Sequence, residues 1–139
     1  MSNIFHLAIE GGKLETTLPF YTDILGCKLD MAEEGRWQDI DFWGNELTLH
    51  ESEPRTGDAI APAKGPGRHR HTVDMGEVCV PHLGIHLSLE DYKRVRARVE
   101  LSCGFLDTPY IRFKGTDYEQ ETFFCEDPNR NVIEIKHLT

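Results

Sequence analysis

Paired cysteines are missing from this chain. The four it has, Cys27, Cys79, Cys103 and Cys125, are scattered, and none falls in a C-x-x-C spacing. That excludes a zinc knuckle and a thioredoxin-type pair, and the thiols read as mostly buried and reduced. No segment approaches the roughly 18 consecutive apolar residues of a membrane helix. The start, Met1-Ser2-Asn3-Ile4-Phe5-His6, has neither the basic flank nor the apolar run of a signal peptide, so a soluble cytoplasmic protein is expected. Positive charge is scarce as well: 15 Lys and Arg against 24 Asp and Glu leave a net charge of -9. Phosphate backbones are bound by clustered cations, so nucleic acid is not expected as a partner. At 139 residues, 39% hydrophobic and 28% charged, the chain is expected to be one domain (1–139) with a sizeable core.

What is present is an internal echo. Ile4-Phe5-His6-Leu7-Ala8-Ile9 returns as Val80-Pro81-His82-Leu83-Gly84-Ile85, followed by His86, with the two matched histidines 76 positions apart. The text between and after them repeats too. Residues 3–9 alternate as a strand. Leu14, Leu18, Tyr21 and Leu25 then mark one helical face ending at Gly26, with a start near Thr16 so that Pro19 falls in the first turn. Strands are expected at 27–32, 36–43 and 46–51, parted by Glu34-Gly35 and Gly44-Asn45. This is module one, 1–51.

From 52 to 77 the sequence turns to Pro, Gly, Arg and His without apolar periodicity and reads as a connecting loop, with His69 and His71 as solvated loop residues. Module two, 78–139, runs through the same order. A strand at 78–87 precedes a helix opened by Ser88-Leu89-Glu90-Asp91, whose Leu89, Tyr92, Val95 and Val99 face the core and which stops at Gly104. Strands follow at 109–114, 120–126 and 132–137, the last two joined by the turn text Asp127-Pro128-Asn129-Arg130-Asn131. The fold class is therefore α+β, two βαβββ modules in tandem.

If the halves are structural repeats, His6 and His82 hold equivalent places, and counting from Asn45 and Asn131 puts Thr48 opposite Glu134. Taken singly, each reads as a polar residue on a wet strand face. Taken together, two imidazoles and a carboxylate are the ligand set of a mononuclear divalent-metal site that leaves positions open for substrate. An unpaired carboxylate between Ile133 and Ile135 also needs a partner if it is buried.

His6-Leu7-Ala8-Ile9, Pro19-Phe20-Tyr21-Thr22-Asp23-Ile24-Leu25-Gly26-Cys27, Pro81-His82-Leu83-Gly84-Ile85 and Phe124-Cys125-Glu126-Asp127-Pro128-Asn129-Arg130-Asn131-Val132-Ile133-Glu134 together span nearly the whole chain. This text resembles the glyoxalase / bleomycin-resistance / extradiol-dioxygenase superfamily, the vicinal oxygen chelate fold. The stretches Asp41–His50 and Tyr110–Gly115 are similar to a dioxygenase-like subgroup. The resemblance implies a U-shaped mixed sheet around one central site with helices outside, and a homodimer acting on a small molecule. It also implies one divalent metal, Fe(II) favoured with Zn, Ni or Mn as alternatives, on His6, His82 and Glu134.

His50 is the first choice for proton transfer and His86 the second, since imidazole titrates nearest neutrality. Arg112 and Lys114 are expected to alternate toward an anionic substrate group, with Thr48 and Trp43 also at the substrate. Two departures stand out. Thr48 occupies the place of an acidic or amide ligand in glyoxalase I, and Arg130 stands where the family's turn commonly has Gly. The alternatives are a metal-free drug-sequestering protein, to which the acidity and Trp37, Phe42, Trp43 and Tyr110 are suited, and a glyoxalase-like isomerase, which would need a fourth ligand such as His50.

Overall fold

Alternating and helical periodicities place the elements in two runs of one order, and the computed structural model, which describes residues 3–55 and 69–139, bears this out. The first run is β1 (His6–Gly12), α1 (Leu14–Pro19) continuing as a π-helical turn (Phe20–Ile24), β2 (Lys28–Glu33), β3 (Trp37–Phe42) and β4 (Asn45–Glu51). Next come β5 (His69–Val73) and β6 (Gly76–Val80), followed by the second run: β7 (Leu83–His86), α2 (Leu89–Leu101), β8 (Asp107–Arg112), β9 (Gln120–Glu126) and β10 (Val132–Leu138). The described residues up to Arg55 cluster with Asp127–Asn129 as one compact unit, and the remaining described residues form the other. Among the described residues no helix is long and apolar enough to cross a membrane.

In the first unit the sheet order is β1-β4-β3-β2, with β1 parallel to β4 and the other pairs antiparallel. In the second unit it is β7-β10-β9-β8, with β7 parallel to β10. Each module is thus βαβββ, and the register repeats: Ala8 lies opposite Thr48 as Gly84 lies opposite Glu134. One face of each sheet is apolar. Leu47, Leu49, Ile40 and Phe42 are buried in the first unit, together with Leu14 of α1 and Phe20, Tyr21 and Leu25 after it. Ile133, Ile135 and Phe123 are buried in the second with Tyr92, Val95 and Val99 of α2. Each such side chain contributes roughly 1.5–3 kcal/mol of burial. The opposite face is polar in the first sheet, and in the second it carries Thr122, Glu134 and Lys136 beside Phe124 and Val132, which are buried with Val78 and Cys79.

Several local expectations are corrected. The first helix starts at Leu14, not near Thr16, and Pro19 is its last residue. The chain then winds wider: Leu25 N donates to Phe20 O at 3.0 Å and Cys27 N to Tyr21 O at 2.8 Å. Proline offers no N–H to the preceding turn and crowds it, and a wider winding relieves both. The hairpin between β3 and β4 turns on Trp43 (φ 48°) and Gly44 (φ 91°), not on Gly44-Asn45. Both central residues are left-handed, as a type I′ turn requires, and Asp41 Oδ1 accepts from Gly44 N at 2.7 Å.

The stretch 52–77 is not loop throughout. Its end forms β5, which carries His69, Arg70 and His71, and the start of β6. Residues 56–68 of the expected connection lie outside the described residues. The expected strand 78–87 is interrupted at Pro81, which cannot donate to a ladder, and so divides into β6 and β7. The strand expected at 109–114 is β8, 107–112. Ser88 caps α2 as expected, its Oγ accepting from Asp91 N at 3.2 Å, and Arg94 pairs with Glu90 at 3.3 Å. Cys27, Cys79 and Cys125 are buried and Cys103 is exposed.

The turn text at 127–131 does more than turn the chain. Tyr21 Oη donates to Asp127 Oδ2 at 2.6 Å, Asn129 Nδ2 donates to Glu10 O at 3.0 Å, and Arg55 N donates to Asn129 Oδ1 at 2.7 Å, all within the first unit. Gly12 (φ 67°) makes room for this: a Cβ there would lie 2.6 Å from Asn129 Oδ1. The next residue, Arg130, has φ 65°, a left-handed conformation that costs an L-residue roughly 1–2 kcal/mol.

Two outcomes are expected. Tyr21→Phe removes a buried hydrogen bond to a carboxylate and should lower the urea-unfolding free energy by about 1.5–3 kcal/mol, whereas an unchanged midpoint would show that the bond is not stabilising. At position 130 the glycine variant should be more stable than the alanine variant by about 1 kcal/mol, because only alanine retains the strain. Equal stabilities would contradict this.

Candidate metal centre

The polar face of the second unit carries the densest chemistry. In register across it stand Gly84 of β7, Glu134 of β10 and Phe124 of β9, and one pleat further on His86, Lys136, Thr122 and Tyr110 of β8. His82 precedes β7 by one residue and reaches the same face. Its Nε2 lies 3.2 Å from Glu134 Oε1, and the edge of its ring meets Phe124, with centroids 5.1 Å apart. Close approach of β7 to β10 explains Gly84: a Cβ there would lie 2.2 Å from the Glu134 carbonyl oxygen.

The hydrogen-bond chemistry of this pair is constrained. His82 Nδ1 lies 2.6 Å from Cys79 O, a carbonyl that can only accept, so Nδ1 carries a proton. A neutral ring would then turn its Nε2 lone pair toward an ionised carboxylate. Two acceptors at 3.2 Å repel, so a proton or another cation must stand between them. The Glu134 hydrogen bond, aided by Cys79 O and opposed by burial, raises the His82 pKa above its ordinary value. Glu134 is only 3% exposed. Burial pushes its pKa up, but hydrogen bonds from His82 and from Thr122 Oγ1 (2.7 Å to Oε2), with the Lys136 charge, outweigh burial and hold it below the ordinary range. Lys136 Nζ stands 3.3 Å from Glu134 Oε1. The Tyr110 phenol is pushed up by burial and then by the Glu134 charge.

In the first unit, His6 lies exposed on β1 and its Nδ1 is 2.7 Å from Glu46 Oε1. Thr48 is buried and donates to Asp39 Oδ1 across β3–β4 at 2.5 Å. His50 is exposed on the same strand face, opposite Glu10 and Trp37. Trp43 sits in the left-handed turn with its ring edge-on to Phe42, centroids 4.8 Å apart.

In the second unit His86 is exposed opposite Lys136. Arg112 ends β8 with its Nε and Nη2 on the Asp74 carboxylate, and Lys114 lies beyond the strand in an exposed turn. The structure therefore brings His82 and Glu134 together, and because β8 ends at Arg112, Lys114 does not alternate with it along a strand. Among the described residues no group of three or more His, Cys, Asp or Glu side chains is gathered. Sequence reasoning passed over Lys136, Thr122, Asp39 and Glu46. The i+2 spacing of Lys136 from Glu134 was a usable signal, whereas the cross-strand partners became visible only with the register.

The pH dependence of metal-free protein follows from the two shifts. A raised His82 pKa stabilises the fold below about pH 6.5 and that stability is lost as pH rises through the folded value; a depressed Glu134 pKa stabilises it above about pH 4.3 and is lost as pH falls. In EDTA-treated protein the stability difference between wild type and Glu134→Gln should thus be largest between these limits, measured by urea unfolding at a series of pH values. A flat difference would show that the pair is not ionised.

No protein-family model matches the sequence, and no curated protein matches it. Solved structures do. A glyoxalase/bleomycin resistance protein/dioxygenase from Alicyclobacillus acidocaldarius is 29% identical, with a TM-score of 0.69 over 98% of this chain and 91% of that one. A glyoxalase/dioxygenase from Nostoc punctiforme is 16% identical with a TM-score of 0.70, over 99% and 91% of the two chains. A lactoylglutathione lyase from Agrobacterium tumefaciens is 17% identical with a TM-score of 0.62, over 99% and 94%. The last two likenesses are of fold alone. With the paired βαβββ modules and their repeated register, these likenesses show that the chain has the fold of the glyoxalase/bleomycin-resistance/dioxygenase superfamily, and the first is a likeness to one of its members in sequence as well.

Proposed function

We propose that the chain is a mononuclear divalent-metal-dependent enzyme, dioxygenase-like, acting on a small substrate with two neighbouring oxygens. The observation that carries this reading is the buried Glu134 carboxylate held 3.2 Å from a His82 Nε2 that needs a cation between them. The donors suit a metal. The second ring nitrogen of His82 is fixed on a backbone carbonyl, and the second oxygen of Glu134 is fixed on Thr122, the outer partners that orient metal ligands. His6 is the proposed third ligand, supplied by the first module of the same chain or of a second copy in a homodimer. Two imidazoles and one carboxylate favour Fe(II), with Zn, Ni and Mn as alternatives. When bound, such a metal supplies Lewis-acid polarisation of the substrate oxygens, and iron adds redox chemistry with dioxygen.

The chain's own residues do the rest. Thr122 holds Glu134 Oε2 and leaves Oε1 toward His82, and the buried Phe124 ring packs at right angles to the imidazole. His50, exposed on the polar face of its module, is the proposed acceptor of the substrate's hydroxyl proton, with His86 as its substitute and Thr48 and Trp43 beside the substrate. Arg112 reaches an anionic substrate group only by exchanging its Asp74 partner, and Lys114 only from its exposed turn. The proposed setting is a soluble cytoplasmic protein.

Elemental analysis of purified protein is expected to find roughly one divalent metal per chain, lost in His82→Ala and in Glu134→Gln. Oxygen uptake with catecholic substrates should be lost with it. Stoichiometric metal retained in His82→Ala would overturn the assignment. Metal-dependent turnover of a hemithioacetal without oxygen uptake would favour the isomerase.

A further inference from the structure

Lys136 has no role in the ligand set, yet its ammonium lies 3.3 Å from Glu134 Oε1, the same oxygen that faces His82. It is held there: the side chain is only 23% exposed, on the polar face beside Thr122 and His86. Register identifies its counterpart. Thr48 opposite Ala8 corresponds to Glu134 opposite Gly84, so His50 opposite Glu10 corresponds to Lys136 opposite His86. Each module thus places a basic side chain two residues beyond the matched Thr48 or Glu134.

We infer that Lys136 is a second substrate-side residue, resting on the metal-centre reading: it neutralises Glu134 Oε1 in the metal-free protein and turns to the anionic oxygen of a catecholate-type substrate once a metal takes that carboxylate. The charges dictate the exchange. A divalent cation on Oε1 replaces an attraction for the ammonium with a repulsion at close range. The ammonium sits on a flexible four-carbon stem with three rotatable donors, and the nearest anion it then finds is the deprotonated oxygen of a chelating substrate. Lys136 is therefore both a competitor for the metal and a specificity determinant for anionic over neutral ligands.

The test titrates cobalt(II) into wild type, Lys136→Met, Lys136→Gln, Lys136→Arg and His82→Ala, and then 4-nitrocatechol into the cobalt-loaded proteins, read by absorbance. Loss of the competing charge should tighten cobalt(II) binding about fivefold in the Met and Gln variants. The same variants should bind 4-nitrocatechol about tenfold more weakly, with Lys136→Arg near wild type in both. Thermal unfolding identifies whichever neutral variant is well folded. Unchanged or weaker cobalt(II) binding in that variant, while His82→Ala abolishes binding, overturns the inference and leaves the metal centre standing. Unchanged 4-nitrocatechol affinity overturns the substrate contact. Cobalt(II) binding that survives His82→Ala overturns the metal centre and this inference with it.

Discussion

A carboxylate and an imidazole nitrogen face one another across 3.2 Å in the second unit, and the Cys79 carbonyl fixes the imidazole's only spare proton on its far side. That arrangement has a single electrostatic remedy, a positive charge between the two groups. Without metal, the geometry calls for a proton between the two, and the Lys136 ammonium stands on the same carboxylate oxygen. The surrounding structure sustains the demand: Gly84 lets β7 close on β10, Thr122 occupies the other carboxylate oxygen, and Phe124 packs at right angles to the ring. A buried ion pair of this kind is poor evidence of stability, because desolvation offsets much of the attraction. The proposed role in holding a cation accounts for the pair better than stability does.

The fold places this site through repetition. The same βαβββ order occurs twice, with the same parallel pairing of the first and last strands, so a residue count along one module carries over to the other. The two modules diverge in chemistry at matched positions. Where the second has a buried Glu134 bonded to Thr122, the first has a buried Thr48 bonded to Asp39, so a threonine–carboxylate pair survives with its acid on the neighbouring strand. Strain is stored where the turns demand it, at Trp43 and at Arg130, and the latter follows directly on residues locked to Tyr21 and Glu10.

Much of this was legible in the residues. The echo of His-Leu-small-Ile located the first strand of each module, the helical spacing of Tyr92, Val95 and Val99 located α2, and alternation located β9 at its observed bounds. Glu134 flanked by isoleucines announced a carboxylate in need of a partner. Other features were hidden for physical reasons. The β5–β6 hairpin is half polar and rich in charge, so its text mimics a loop, and its anchors, Arg70 on Asp107 at 3.1 Å, Asp74 on Arg112, and Val78 and Cys79 packed with Phe124, appear only in the fold. Tyr21 and Asp127 are far apart in sequence, and nothing local links them. Lys136 was overlooked because a lysine in a strand reads as a solvated residue until the register places it beside Glu134.

Anomalous diffraction from crystals grown with iron(II) or cobalt(II) addresses the central claim most directly, because it locates the cation rather than its effects. The account predicts a peak between His82 Nε2 and Glu134 Oε1, with Lys136 withdrawn from the carboxylate. A map with Lys136 still on Glu134 and metal found only at surface carboxylates would contradict it.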